Sequence, residues 1–193
     1  SRKYDYETLN NAKRFYKVKN KFKNTFNPIN LIKSQNVLLL GPQKLSKKNV
    51  INIEKYIKNR NLFVIALNTN HEINKSLINI YSISHPIRLL TNFKDGLAAE
   101  MKIVAPISSV NMNINKKINR KNIYDYGLKI SKNEDEVEVN TNYCELPSPL
   151  VIGYALALAI QGNANKIFFA GFQGHLDNEQ KKIEVNRLIN RFK

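Results

Sequence analysis

Residues 36–67 read NVLLLGPQKLSKKNVINIEKYIKNRNLFVIAL. The first five form a short apolar run ended by Gly41-Pro42, which predicts a buried parallel strand over residues 36–40. Ser46 stands where an N-cap belongs. Residues 47–59 follow it with Val50, Ile53, Tyr56 and Ile57 in a helical stripe. A second unbroken apolar run, residues 62–67, predicts another buried strand. A one-sided helix between two wholly apolar strands is a βαβ unit, and such strands need cover on both faces.

The same alternation continues outward. Residues 68–70 read as a loop, 72–78 as a short helix and 80–84 as a third strand. Pro86 then opens a helix reaching residue 94, and residues 102–105 form a fourth strand ended by Pro106. Residues 107–122 are Asn- and Lys-rich and read as a loop. Residues 126–130 and 137–139 predict a small hairpin around the acidic turn 133–136. Ser148 as N-cap, Pro149 as first helical residue and Gly162 as C-cap bound a helix over 149–161. That helix is apolar nearly all round, so most of its faces must be buried. Residues 166–170 predict a further buried strand. A final amphipathic helix over 178–192 uses Ile183, Leu188, Ile189 and Phe192. The expected fold class is α/β: a three-layer, Rossmann-like, mainly parallel sheet with helices on both faces. Residues 1–28 read as a basic arm or interdomain linker, with a helix over 8–22, and residues 29–193 as the Rossmann-like domain.

Composition bounds the function. A length of 193 residues suits one domain. The chain opens at Ser1 without a Met, which suggests an excised piece. No uncharged apolar run reaches the roughly 18 residues that suggest a membrane span. The start carries no apolar signal segment, and a lone Cys144 excludes an internal disulfide. A reducing, cytoplasmic location follows as the expectation. The net charge is +16, but Lys outnumbers Arg by 24 to 7 beside 29 Asn, the usage of an AT-rich coding sequence. The excess also lies within residues 1–60 rather than over the core. Basic residues are not interleaved with aromatics beyond the arm. No specific nucleic-acid partner is therefore expected, and any affinity for nucleic acid should collapse with salt.

In an open parallel sheet, ligands bind beyond the carboxyl ends of the strands, where strand order reverses. That rule selects four loops. Gly41, Pro42, Gln43 and Lys44 lie between a strand and a helix, where backbone N–H groups hold phosphates and Lys44, Lys47 and Lys48 add charge. The segment lacks both the G-x-G-x-x-G and the P-loop pattern, so an ordinary turn competes with that reading. Asn68, Thr69 and Asn70 offer groups for a ribose or base, or simply turn. His85 can titrate near neutrality, and Arg88 can fork a carboxylate or phosphate; a capping His and a surface Arg is the alternative. Gly171, Phe172, Gln173, Gly174 and His175 combine two glycines, an amide and an imidazole, with Asp177 placed to orient His175. Ser148 joins the binding candidates at the head of the apolar helix. His85 and His175 are the candidate proton-transfer groups. The three His and Cys144 are far apart in the chain and no ligand motif joins them, so neither metal nor cofactor is expected. Glu134, Asp135, Glu136 and Glu138 read as a solvated hairpin edge, and Cys144 as a buried apolar residue.

Three stretches carry a family resemblance: residues 36–48 (NVLLLGPQKLSKK), 80–90 (IYSISHPIRLL) and 143–175 (YCELPSPLVIGYALALAIQGNANKIFFAGFQGH). Over residues 30–193 the chain resembles the domain that follows a 4-hydroxy-2-oxovalerate aldolase-like (HMG-CoA-lyase-like) barrel in proteins of bacterial surface-polysaccharide clusters. The first and last stretches are more distantly similar to bacterial sialyltransferases. The resemblance implies a nucleotide or nucleotide-sugar ligand and an aldolase-like domain preceding this one, with lyase chemistry residing there. The chain departs from the pattern at Gln43 and Leu45, where Gly and Ser usually stand, and at Gln173 and His175, where Asp and Tyr do. These departures weaken both turns of the expected nucleotide site. An accessory nucleotide-binding domain, a glycosyltransferase-like enzyme and a degenerate, non-catalytic scaffold are the readings to separate.

Overall fold

The computed structural model describes residues 26–69, 72–85, 88, 101–109, 122–131, 136–172 and 179–192. The first βαβ unit forms as its sequence dictates: β1 (Asn36–Leu40), a helix (Lys47–Arg60) and β2 (Phe63–Leu67). Ser46 Oγ accepts from the Asn49 N–H at 3.2 Å, which fixes the helix start. A short helix (α1, Ile29–Ile32) precedes this unit, so the Lys47–Arg60 helix is α2. β3 (Ile80–Ser82) and β4 (Ile103–Ala105) follow, then β5 (Ile123–Asp125), directly after the stretch expected to be a loop and not foreseen as a strand. After β5 come β6 (Gly127–Ile130), β7 (Glu138–Val139), β8 (Tyr143–Leu146), α3 (Val151–Gln161), β9 (Lys166–Ala170) and α4 (Glu179–Asn190).

Six strands make one sheet in the order β5-β4-β3-β2-β1-β9, and every neighbouring pair is parallel. Alternate residues point to opposite faces, so the strands feed two cores. Val37, Leu39, Ile65, Leu67 and Ile80 meet the apolar side of α3, with α4's Leu188 and the small β6-β8-β7 sheet in the same cluster. Leu38, Leu40, Val64, Ala66 and Ile103 lie on the other face with α2's Ile57. This is a Rossmann-like α/β fold with helices on both faces. No helix among the described residues is long and apolar enough to cross a membrane.

Several expectations are corrected. Residues 126–130 and 137–139 do not form a hairpin together. β6 pairs in parallel with β8, and β7 pairs antiparallel with β8, so both flank a strand not foreseen. Lys129 and Glu145 face each other across this pairing and form an ion pair. Their attraction supports the parallel register of β6 on β8. The span 72–78 holds only one 3-10 turn, Lys75–Leu77, and the span 107–122 begins with another, Ile107–Ser109. That second turn is tied to β5 because Asp125 Oδ1 accepts from the Ser108 N–H at 3.0 Å.

Ser148 does not cap α3. Leu150 is the N-cap residue and, being apolar, contributes no side-chain bond; just before it the Pro149 carbonyl accepts the Ser84 hydroxyl at 2.8 Å. Gly162 does end α3, but in right-handed geometry at φ −69°; Asn163 takes the left-handed turn at φ 56°. Gly162 is small because α1 rests on it: a Cβ there would lie 2.6 Å from Ile32 Cβ. β9 is an edge strand rather than a buried one, and its Phe169 is 45 % exposed. Ile183 of α4 is equally open. The expected helices over 8–22 and 86–94 lie outside the described residues, apart from the helical Arg88.

Candidate functional site

The chain lays down β1 to β5 outward to one edge, then returns to place β9 on the other side of β1. Strand order therefore reverses between β1 and β9. Parallel register brings their carboxyl ends level, with Leu40 beside Ala170. The turns that leave them touch. The Gly41 N–H donates to the Ala170 carbonyl at 2.7 Å. A Cβ on Gly41 would sit 2.3 Å from Gly171 O, and one on Gly171 would sit 2.8 Å from Gly41 O. Gly171 also holds φ +75°, the left-handed region where a side chain is strained. Two glycines are thus required by contact between two main chains.

Above this contact opens a cleft of about 350 Å³. Pro42 and Gln43 enter from the turn after β1, and Gly171 and Phe172 from the turn after β9. Leu67 at the end of β2 and Val185 of α4 add apolar surface. The remaining wall is the start of α3, through Leu150, Val151 and Ile152. The Ser84–Pro149 hydrogen bond ties that helix start to the carboxyl end of β3. Phe172 meets Phe169 in a T-shaped contact at 5.9 Å, which braces its ring.

The cleft is apolar with few polar groups. No ionisable side chain is among its described lining residues. The Gln43 Oε1 atom is buried and has no hydrogen-bond partner among the described residues. The two helix starts nearby differ. α2's first turn is served by Ser46, and the Leu45 N–H faces Glu72 Oε2 at 3.4 Å. α3 has no side-chain cap and no acid in its first turn, so its positive end stands open at the cleft.

No family model matches this chain, and none of the curated proteins or solved structures compared with it matches either.

Of the residues selected from sequence, Pro42, Gln43, Gly171 and Phe172 come together in the cleft, with Gly41 directly beneath Gly171. Lys44, Lys47 and Lys48 are exposed around the start of α2. Asn68 is buried in a left-handed turn, φ 66°, with its N–H on the Ser82 carbonyl at 2.9 Å, so it turns the chain. Thr69, His85, Arg88 and Ser148 are not among the described lining residues. Asn70, Gln173, Gly174 and His175 lie outside the described residues. Sequence reasoning missed Leu67, Val185 and residues 150–152. The strand-end rule reached only the loop next to Leu67, and the start of α3 joins the site through the Ser84 contact. No group of metal-ligating side chains occurs among the described residues. Burial pushes the Cys144 thiol well above its ordinary value, and its Sγ makes a long contact, 3.8 Å, to the Gly127 carbonyl. A reactive thiolate is not available there.

His85 titrates below its ordinary value of 6.5, first because burial disfavours the imidazolium and second because Arg88 repels it. The unfolded chain therefore takes up this proton before the folded one as pH falls. Stability attributable to His85 is present above about pH 6.5 and declines as pH drops toward the lower folded value. Denaturant midpoints measured from roughly pH 7.5 to 5 should fall less steeply in His85→Gln than in the parent. Parallel curves for the two proteins would remove His85 as the cause.

Proposed function

We propose that this domain binds a nucleotide or nucleotide-sugar in the cleft between β1 and β9 and acts as an accessory, non-catalytic binding domain. The observation that carries this reading is the cleft's place: it lies at the reversal of strand order, where parallel α/β sheets take their ligands. Its volume of about 350 Å³ falls within the range of small-molecule sites. The uncapped start of α3 supports a phosphate on that wall, rather than at α2, whose first turn is capped by Ser46 and whose preceding residue, Leu45, has its N–H on Glu72. The lining favours binding over catalysis, because none of the described lining residues can transfer a proton.

The family resemblance supports a wider setting: a domain joined to an aldolase-like barrel in surface-polysaccharide synthesis, in the cytoplasm, with lyase chemistry belonging to the barrel. A glycosyltransferase-like activity would need an acid or base brought to the cleft, for which His85 and His175 are the candidates from the sequence. Titration with CMP, CDP, UDP and their sugars, followed by amide chemical shifts, tests the ligand. Shifts are expected at Gly41, Gln43, Val151, Gly171 and Phe172. An unchanged spectrum at millimolar nucleotide would leave the non-catalytic scaffold as the better account.

A further inference from the structure

α2 covers the sheet face opposite α3, and its two sides differ. Ile57 is buried against the sheet, with Val50 and Ile53 packed on the same core. Tyr56 is held on one flank, edge-on to Phe168 at 5.9 Å and beneath the Arg60 guanidinium at 5.1 Å. The outer side is formed by Lys47, Lys48, Ile51, Lys55 and Lys58, all exposed. At 3.6 residues per turn these lysines fall within about 60° of Ile51 and span about 16 Å of helix. Ile51 itself is 53 % exposed, the most open large apolar side chain among the described residues. The helix has a single acid, Glu54, at the border of this face. Glu54 Oε1 accepts the Asn74 N–H at 2.8 Å, which ties it to the start of the 3-10 turn Lys75–Leu77.

From this arrangement we infer that the outer side of α2 docks the domain on an anionic lipid surface. Opposite charge selects the partner: each lysine of the strip gains about fivefold in affinity beside a leaflet whose headgroups are negative. The exposed isoleucine selects lipid over other polyanions. A nucleic-acid backbone matches the lysines but gives Ile51 little apolar surface. A bilayer takes the ammonium groups at its headgroups and an apolar side chain at the acyl boundary. Lysine suits that level, because its aliphatic stem lies along the apolar boundary while its charge stays in water. The contact is peripheral and reversible. It is also independent of the nucleotide reading, since no residue of α2 is among the described lining of the cleft.

The test uses the whole chain and vesicles of phosphatidylcholine, alone or with about one-third phosphatidylglycerol. The protein should sediment with the mixed vesicles at about 0.1 M salt and be released at about 1 M, where screening shortens from about 10 Å to about 3 Å. Vesicles of phosphatidylcholine alone should leave it in solution. Lys55→Gln should weaken binding about fivefold. Lys47→Gln, Lys48→Gln, Lys55→Gln and Lys58→Gln combined should abolish it with the melting temperature kept, because all these positions are exposed and Gln is as good a helix former as Lys. The chain has no tryptophan, so the emission of Ile51→Trp reports on that position alone. It should shift to the blue on mixed vesicles and stay unchanged with duplex DNA. If the combined variant sediments like the parent, other lysines carry the charge, those of residues 1–28 included, and α2 is overturned as the surface. Binding that needs the lysines but gives no blue shift in Ile51→Trp, and is matched by duplex DNA at equal salt, overturns lipid in favour of any polyanion. Failure to sediment with mixed vesicles at the lower salt overturns the inference entirely.

Discussion

Leu156→Asp is expected to leave the domain unfolded at room temperature. Leu156 sits midway along α3 and is 5 % exposed, in a helix where every residue from Ile152 to Ala159 is buried. α3 packs against β1, β2, β3, β8 and α4, so it lies between the large sheet, the small sheet and the last helix. Truncating such a leucine alone costs about 2–5 kcal/mol. A carboxylate with no partner adds several kcal/mol more. The total is comparable to the roughly 5–15 kcal/mol by which a domain is stable. Protonation offers the only relief. A buried Asp has its folded pKa raised, so the variant should gain stability as pH falls, in contrast to the His85 dependence. Leu156→Met is the matched control and should cost less than about 1.5 kcal/mol. Far-UV circular dichroism with thermal melts separates the outcomes. A cooperative melt of Leu156→Asp within a few degrees of the parent would mean that α3 is not held as described.

The parts of the fold legible in the sequence are those where one local signal suffices. β1 and β2 announce themselves by unbroken Val, Leu and Ile, and α2 by Ser46 and a one-sided stripe. The all-round apolarity of residues 150–160 required the burial that α3 has. What was not legible depends on contacts between distant residues. β8 carries Glu145 within a run of only four residues, so no periodicity marks it. Its strand character comes from pairing with β6 on one side and β7 on the other. The start of α3 lies at Leu150 rather than Ser148, where the hydroxyl of Ser84, just past β3, holds Pro149, and no local pattern encodes that bond. β9 reads as buried because its composition matches β1, yet its position at the sheet edge exposes Phe169. The site divides in the same way. The strand-end rule found the turns at 41–43 and 171–172. It could not find Val185 or the start of α3, which arrive by tertiary packing.

Gly41→Ala should be the most damaging single methyl that can be added at the site. The new Cβ would meet Gly171 O at 2.3 Å, Gly171 C at 2.8 Å and Phe172 Cδ1 at 3.0 Å. The first two are main-chain atoms, and they are anchored by the β1–β9 pairing and the Gly41-to-Ala170 hydrogen bond. No side-chain rotation can relieve the overlap, so the turn after β9 must move. Overpacking of this kind costs about 3 kcal/mol at the upper end of the usual range. For a chain of this size that lowers the melting temperature by about 6–12 °C. Gly153→Ala provides the contrast. Its Cβ would also come close, 2.5 Å, but to Leu188 Cδ2, the far end of a flexible side chain that can swing aside. The structure therefore orders the two variants, with Gly41→Ala well below Gly153→Ala in stability. Ligand binding should separate them further. Moving Gly171 carries Phe172 with it and reshapes the cleft, so nucleotide-induced shifts should vanish in Gly41→Ala even at temperatures where it remains folded. Gly153→Ala should keep them. Equal stability of the two variants would mean that the turns after β1 and β9 do not touch. Intact nucleotide shifts in a folded Gly41→Ala would place the ligand away from the reversal point between β1 and β9.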